Sequence, residues 1–72
     1  GRRRQWKVSS RGNPYLNAEG YNLVLTQSGR GWQVIIKNRE TERQQAGHKY
    51  FHTENDAKDA ALQALLWAKD HL

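Results

Sequence analysis

The sequence predicts an α+β domain in which a three-stranded antiparallel sheet packs on one C-terminal helix, preceded by a basic N-terminal arm or a short extra strand. Two apolar stretches between residues 21 and 37 alternate with period two, as strands do. Small apolar side chains then recur at helical spacing between residues 57 and 68. We therefore expect a basic extended segment over residues 1–19 and a β-β-β-α domain over residues 20–72.

Length and composition limit the classes of protein to be considered. A chain of 72 residues forms one domain at most. It contains no cysteine, which excludes disulfide scaffolds, zinc sites that use thiolates and cysteine nucleophiles. No apolar run approaches the roughly 18 residues of a membrane span, and no signal-peptide segment is present. An intracellular protein, in the cytoplasm or in a nucleoid or nucleus, is expected.

The N-terminal segment is polar and basic, and it begins with three arginines in a row after Gly1. Trp6-Lys7-Val8 alternates briefly, which fits a short strand or an arm. Asn13-Pro14 indicates a turn, because a proline excludes the preceding residue from the helical region. Tyr15-Leu16 is an isolated apolar pair, and residues 17–20 indicate a second turn.

Residues 21–26 and 32–37 are predicted to form a β-hairpin, because both stretches are rich in aromatic and β-branched residues. The five residues 27–31 include two glycines and are predicted to form its loop. The side chains expected to face the helix are Tyr21, Leu23, Leu25, Trp32, Val34 and Ile36. The opposite, open face is expected to carry Asn22, Val24, Thr26, Gln33, Ile35 and Lys37.

A polar connection over residues 38–47 leads to a predicted third strand at His48–His52. Thr53 is a candidate N-cap of the final helix, and Asp56 stands three residues later, as in a capping box. One stripe along this helix is expected to pack on the sheet: Ala57, Ala60, Ala61, Ala64, Leu65 and Ala68. Leu62 and Trp67 flank the stripe, and Leu66 lies near the polar side.

Charge provides the strongest functional signal. The net charge is +5 and the isoelectric point is about 10. Residues 1–53 contain ten Lys and Arg against three Asp and Glu, whereas residues 54–72 contain two against four. A basic footprint of this kind is typical of nucleic-acid binding. A polyanion is expected to meet the part of the chain that precedes the helix.

No combination of residues indicates catalysis, a cofactor or a metal. His48 and His52 lie about 13 Å apart if both stand on one strand, too far to share one ion. Glu40 and Glu42 alternate with arginines in a polar connection, which indicates a solvated cluster rather than an acid–base pair. Nothing assembles a nucleophile, a base and an orienting group. We therefore expect a protein that is not an enzyme and that has no cofactor.

The residues expected to bind nucleic acid fall into four groups by position: the arm, the hairpin tip, the second loop and the open face with Lys37. A basic arm follows the phosphate backbone or enters the minor groove, Arg30 projects from the hairpin tip, and two loop arginines lie beyond the second strand. Amide side chains on the open face add contacts to base edges. The full set is Arg2, Arg3, Arg4, Lys7, Arg11, Asn22, Arg30, Gln33, Lys37, Arg39 and Arg43.

The order of elements resembles two related families. The stretches Gly20-Tyr21-Asn22-Leu23, Gly31-Trp32-Gln33-Val34-Ile35 and Tyr50-Phe51-His52-Thr53-Glu54-Asn55-Asp56-Ala57 carry the resemblance, over about residues 20–68. They are similar to the arm-site DNA-binding domains of tyrosine-recombinase integrases and to plant ethylene-response-factor domains. The resemblance implies a three-stranded sheet set into the major groove of duplex DNA, with the helix supporting it from behind.

Two alternatives remain. The stretch Asp56-Ala57-Lys58-Asp59-Ala60-Ala61 resembles the last helix of double-stranded-RNA-binding domains, but the helix that precedes their sheet has no counterpart here, and the helix start is acidic. The other alternative is a protein-interaction or regulatory module, encoded by a phage or mobile element. It would bind a partner or self-associate through Leu66 and Trp67 on the helix, or through the open sheet face, with Val24, Ile35, Tyr15 and Leu16.

Overall fold

The computed structural model describes residues 5–72 and contains one sheet and one helix. The sheet has five antiparallel strands that are neighbours in the order of the chain. The strands are β1 (Lys7–Val8), β2 (Pro14–Ala18), β3 (Tyr21–Ser28), β4 (Gly31–Asn38) and β5 (Gln44–Ala46), and the helix is α1 (Glu54–His71). Within the described residues, no helix is long and apolar enough to cross a membrane.

The predicted three-stranded sheet is wrong, because β1, β2 and β5 join the central hairpin. Strand β2 begins at Pro14, a position that proline accepts because the first residue of a strand need not donate to the ladder. Its pairing with β3 runs from Tyr15 opposite Val24 to Ala18 opposite Tyr21. This five-residue stretch is short, and its strand conformation is supported by pairing with a neighbour on each side.

The third strand lies earlier than predicted. Strand β5 is Gln44–Ala46, which pairs with β4, whereas His48–His52 is irregular. Phe51 alone forms a bridge, with main-chain hydrogen bonds of 2.8 and 2.7 Å to Trp32 in both directions. Two glutamines and an alanine carry no strand signal of their own, so this pairing follows from the free edge of β4.

The predicted β3–β4 hairpin is confirmed, but its loop is shorter than predicted. Ser28 pairs with Gly31, so only Gly29 and Arg30 form the turn. At the opposite end, Glu19 and Gly20 join β2 to β3 with φ angles of 53° and 86°. Positive φ at both central residues is the requirement of a tight type I′ turn, which suits the twist of paired strands.

The core lies between one face of the sheet and the helix, as the alternation predicts. Leu23 and Leu25 of β3 are fully buried, and Val34 and Ile36 of β4 are nearly so. Leu16 of β2 joins them from the strand that the sequence pattern did not indicate. From the helix, the buried side chains are Ala57, Ala61, Leu65 and Ala68. Small residues on this stripe let the helix approach the sheet closely.

Thr53 is the N-cap of α1, as predicted, and its hydroxyl accepts a hydrogen bond of 3.1 Å from the main-chain N–H of Asp56. Thr53→Ala removes this acceptor and is expected to lower the free energy of unfolding by about 1 kcal/mol. Urea unfolding followed by circular dichroism measures the change. Thr53→Ser keeps the hydroxyl and should retain the stability of the parent. An Ala variant as stable as the parent would contradict the role of the cap.

Candidate nucleic-acid interface

The sheet face that points away from the helix is the open face. Side chains of directly paired residues in antiparallel strands lie on the same face, so the pairing register defines rows across the sheet. The first row is Lys7, Tyr15, Val24, Ile35 and Ala46. The second row is Asn17, Asn22, Lys37 and Gln44, and the third is Thr26 and Gln33.

The charge of the open face is purely positive. Its rows contain two lysines, Lys7 and Lys37, and no carboxylate. Within residues 5–72, no carboxylate oxygen lies within 4.0 Å of the charged nitrogens of these lysines or of Arg39. These cations therefore keep their charge available for an anion in solution.

The helix has the opposite electrostatic character. It carries four carboxylates against two lysines. Both lysines are in ion pairs, Lys58 with Glu54 at 2.9 Å and Lys69 with Glu19 at 2.6 Å. A polyanion is therefore attracted to the sheet side of the domain and repelled by the helix side.

The second row forms a polar depression at the edge of the open face. Asn17, Asn22, Lys37 and Arg39 line a shallow volume of about 260 Å³. The side-chain N–H of Asn22 donates a hydrogen bond of 2.7 Å to the side-chain oxygen of Asn17, across the β2–β3 pair. The Asn22 oxygen and the second amide hydrogen remain available to a ligand.

A tight loop holds Arg39 beside this depression. The side-chain oxygen of Asn38 accepts hydrogen bonds from the main-chain N–H groups of Glu40 and Thr41, at 2.9 and 3.1 Å. The Arg39 N–H donates to the carbonyl of Gly20 at 2.9 Å, which ties the loop to the β2–β3 turn. The main chain of Arg39 is thus fixed, while its exposed side chain can adopt different rotamers to contact a ligand.

The first row is apolar at its centre. Tyr15, Val24 and Ile35 are adjacent on three strands, and all three are half-buried; none of the strands or the helix of residues 5–72 packs over them. Lys7 lies next to Tyr15 at one end of the row. A flat apolar strip with an aromatic ring and a cation at one end is suited to the faces of planar ring systems.

The structure separates two of the predicted groups. Arg30 lies at the β3–β4 turn, whereas Lys37 and Arg39 lie at the other end of β4, about 24 Å away at the rise of a strand. Arg11 is in the exposed β1–β2 connection, near the Arg30 end, and Arg43 is in the loop beyond Arg39. One contiguous patch therefore contains Asn22, Lys37 and Arg39.

Two predicted contacts are already engaged within the protein. The Arg30 guanidinium lies 5.9 Å from the centre of the Tyr50 ring, which directs it towards the 47–53 segment. The Gln33 amide donates a hydrogen bond of 2.9 Å to the carbonyl of Gly47, on the irregular segment beside β4. Arg2, Arg3 and Arg4 lie outside the described residues.

Sequence reasoning missed three members of the face: Asn17, Gln44 and Ala46. It placed Tyr15 there correctly but was wrong about Leu16, which is buried on the helix side because it alternates with Tyr15 along β2. The alternation of Tyr15, Leu16 and Asn17 was a usable signal, because it places the tyrosine and the asparagine opposite the buried leucine. This alternation covers only three residues and follows a proline, so it did not suffice to predict a strand. Gln44 carried no signal, since its place follows from the pairing of β5 with β4.

The helix side bears the exposed apolar residues predicted for a protein partner. Leu66 is 57% exposed and Trp67 is 42% exposed. Beside Trp67, a groove of about 250 Å³ runs between α1 and the 47–51 segment, lined by the half-buried Ala60, Ala64 and Phe51. Among residues 5–72, no three His, Asp or Glu side chains are grouped as metal ligands. Comparisons of the chain with protein-family models, curated proteins and solved structures find no match.

Proposed function

We propose that this protein is a nucleic-acid-binding module whose open sheet face and flanking basic residues contact the ligand. The observation that carries the proposal is the division of charge between the two sides. Lysines without carboxylate partners lie on the open face, and the lysines of the helix are neutralised by Glu54 and Glu19. This division orients a polyanion towards one side only. The role is one of binding, without a catalytic step or a cofactor.

Each residue group has a distinct role in this proposal. Lys37 and Arg39 bind phosphates at the polar depression, while Asn17 and Asn22 offer amide groups to base edges. Lys7 binds phosphate at the β1 edge of the sheet. Arg2, Arg3 and Arg4, which lie outside the described residues, are expected to add phosphate contacts. A protein that binds nucleic acid is expected in the cytoplasm, the nucleoid or the nucleus.

The test is a salt-dependent titration with matched charge variants. The full chain is titrated into labelled duplex DNA, single-stranded DNA and duplex RNA at two salt concentrations, with fluorescence anisotropy as the measurement. Lys37→Gln and Arg39→Gln should each weaken binding and make the plot of log K against log salt less steep, by about 0.9 for a lost duplex phosphate contact and about 0.7 for a single strand.

Lys58→Gln is the control, because it removes the same charge from the helix, where Glu54 already pairs with it. It should leave affinity unchanged or lower it only slightly. Equal losses for Lys37→Gln and Lys58→Gln would contradict the assignment of the face. Absence of binding to all three ligands at low salt would contradict the function itself.

A protein contact through Leu66 and Trp67 is the second candidate, and their exposure of 57% and 42% on one helix surface favours it. Such a contact buries apolar area and changes little with salt. If no nucleic acid binds at low salt, this candidate becomes the leading one.

A further inference from the structure

We infer that the ligand of the open face is a single-stranded nucleic acid, whose unpaired bases lie on the apolar row of Tyr15, Val24 and Ile35. The inference rests on the proposed function and names the ligand class that this face accepts. It depends on three features of the face: its width, its apolar centre and the placement of its cations.

The width of the sheet does not suit the major groove. Five strands at about 4.8 Å spacing span about 19 Å, whereas the major groove is about 12 Å wide. A three-stranded sheet, about 10 Å across, would enter the groove. The first row crosses all five strands, from Lys7 to Ala46. Its central residues therefore have a strand on each side, and they do not form a narrow ridge that could enter a groove.

The apolar centre requires a ligand with exposed base faces. In a duplex the faces of the bases are stacked on each other, and a protein meets only their edges and the phosphates. Tyr15, Val24 and Ile35 offer no hydrogen-bonding group to such an edge apart from one hydroxyl. Unpaired bases present flat faces, which stack on aromatic rings and pack on adjacent aliphatic side chains.

The cations lie where the backbone of a single strand would pass. Lys7 stands at one end of the apolar row, paired with Tyr15, while Lys37 stands in the adjacent polar row with Arg39 close to it. Tyr15, Val24 and Ile35 themselves carry no charge. One strand can therefore place its bases on the apolar row and its phosphates along the adjacent polar row and at the Lys7 end.

The experiment compares one sequence in two states. A labelled 12-nucleotide DNA without self-complementarity is titrated with the full chain, alone and annealed to its complement, and the RNA of the same sequence is a third ligand. The single strands should bind roughly tenfold or more tightly than the duplex. Tyr15→Leu should weaken single-strand binding by about 5- to 100-fold, since it removes one stacking partner.

Two controls define the contribution of the ring. Tyr15→Phe keeps the stacking surface and should retain affinity within about twofold. Trp67→Leu removes an aromatic ring from the helix side and should also change little. Thermal unfolding of each variant verifies the fold. If Tyr15→Leu does not fold, amide shifts of the unmodified chain on adding the single strand should be largest at Tyr15, Val24 and Ile35.

The outcomes distinguish this inference from the proposed function. Tighter binding of the duplex, with loss of affinity in Lys37→Gln, would overturn the single-strand assignment and leave nucleic-acid binding standing. The same conclusion follows if Tyr15→Leu folds and binds as the parent does, or if the amide shifts lie on the helix. Failure of every ligand to bind at low salt would overturn both.

Discussion

Gly31→Ala is expected to destabilise the domain by about 2–4 kcal/mol. Gly31 has a φ angle of 122°, which side chains of L-residues rarely adopt. A Cβ atom at this position would lie 2.6 Å from the main-chain oxygen of Phe51, the acceptor of the hydrogen bond from Trp32. The substitution therefore strains the turn and displaces the segment that leads into the helix.

Urea unfolding followed by circular dichroism gives the free energy, and a domain of this size has only about 4–11 kcal/mol in total. Gly29→Ala is the matched control, because it stands in the same turn and its added Cβ meets no atom within 4 Å. It should change the stability by no more than about 0.5 kcal/mol. Equal losses of stability at the two glycines would show that the close approach of Phe51 is not the reason why position 31 requires glycine.

Ala61→Leu is expected to cost about 1–3 kcal/mol, because Ala61 is fully buried where the helix approaches the sheet. Ala64 lies on the same stripe, yet it is half-buried and lines the groove of about 250 Å³ beside α1. Ala64→Leu should therefore leave the stability unchanged or raise it, because the larger side chain extends into the groove.

Gln63→Leu, on the exposed side of the helix, introduces the same side chain without a packing partner and should lie within about 0.5 kcal/mol of the parent. The unfolding midpoints of the three leucine variants are the measurement. A destabilisation of Ala64→Leu equal to that of Ala61→Leu would contradict the presence of usable space beside Ala64.

The difference between these two alanines illustrates how far the pattern of the chain predicts the fold. Period 3.6 identifies both as members of one stripe, and the spacing of Thr53 and Asp56 identifies the N-cap. The period does not say which alanine faces the middle of the sheet and which faces its border. That depends on where β4 ends and how β5 and the 47–51 segment lie against the helix.

In the candidate site, too, some residues can be predicted from periodicity and others depend on the packing of the elements. Alternation alone places Asn22 and Lys37 on the open face, because β3 and β4 are long enough to show period two clearly. Tyr15 and Asn17 belong to a five-residue strand that begins with proline, and β5 contains only glutamine and alanine. The signals of these strands were too short or too weak to distinguish them from loops.

Local patterns in the chain are sufficient to predict the α+β class, the β3–β4 hairpin, the helix with its cap and the contrast in charge between the sheet side and the helix. These properties are set by periodicity, turn residues and composition within one element. The number of strands, the rows of the open face and the distance between Arg30 and Lys37 depend instead on how the strands assemble. Edge strands of two to five residues gain their hydrogen bonds from a neighbour already in place, so their formation depends on the assembled sheet and not on their own residues.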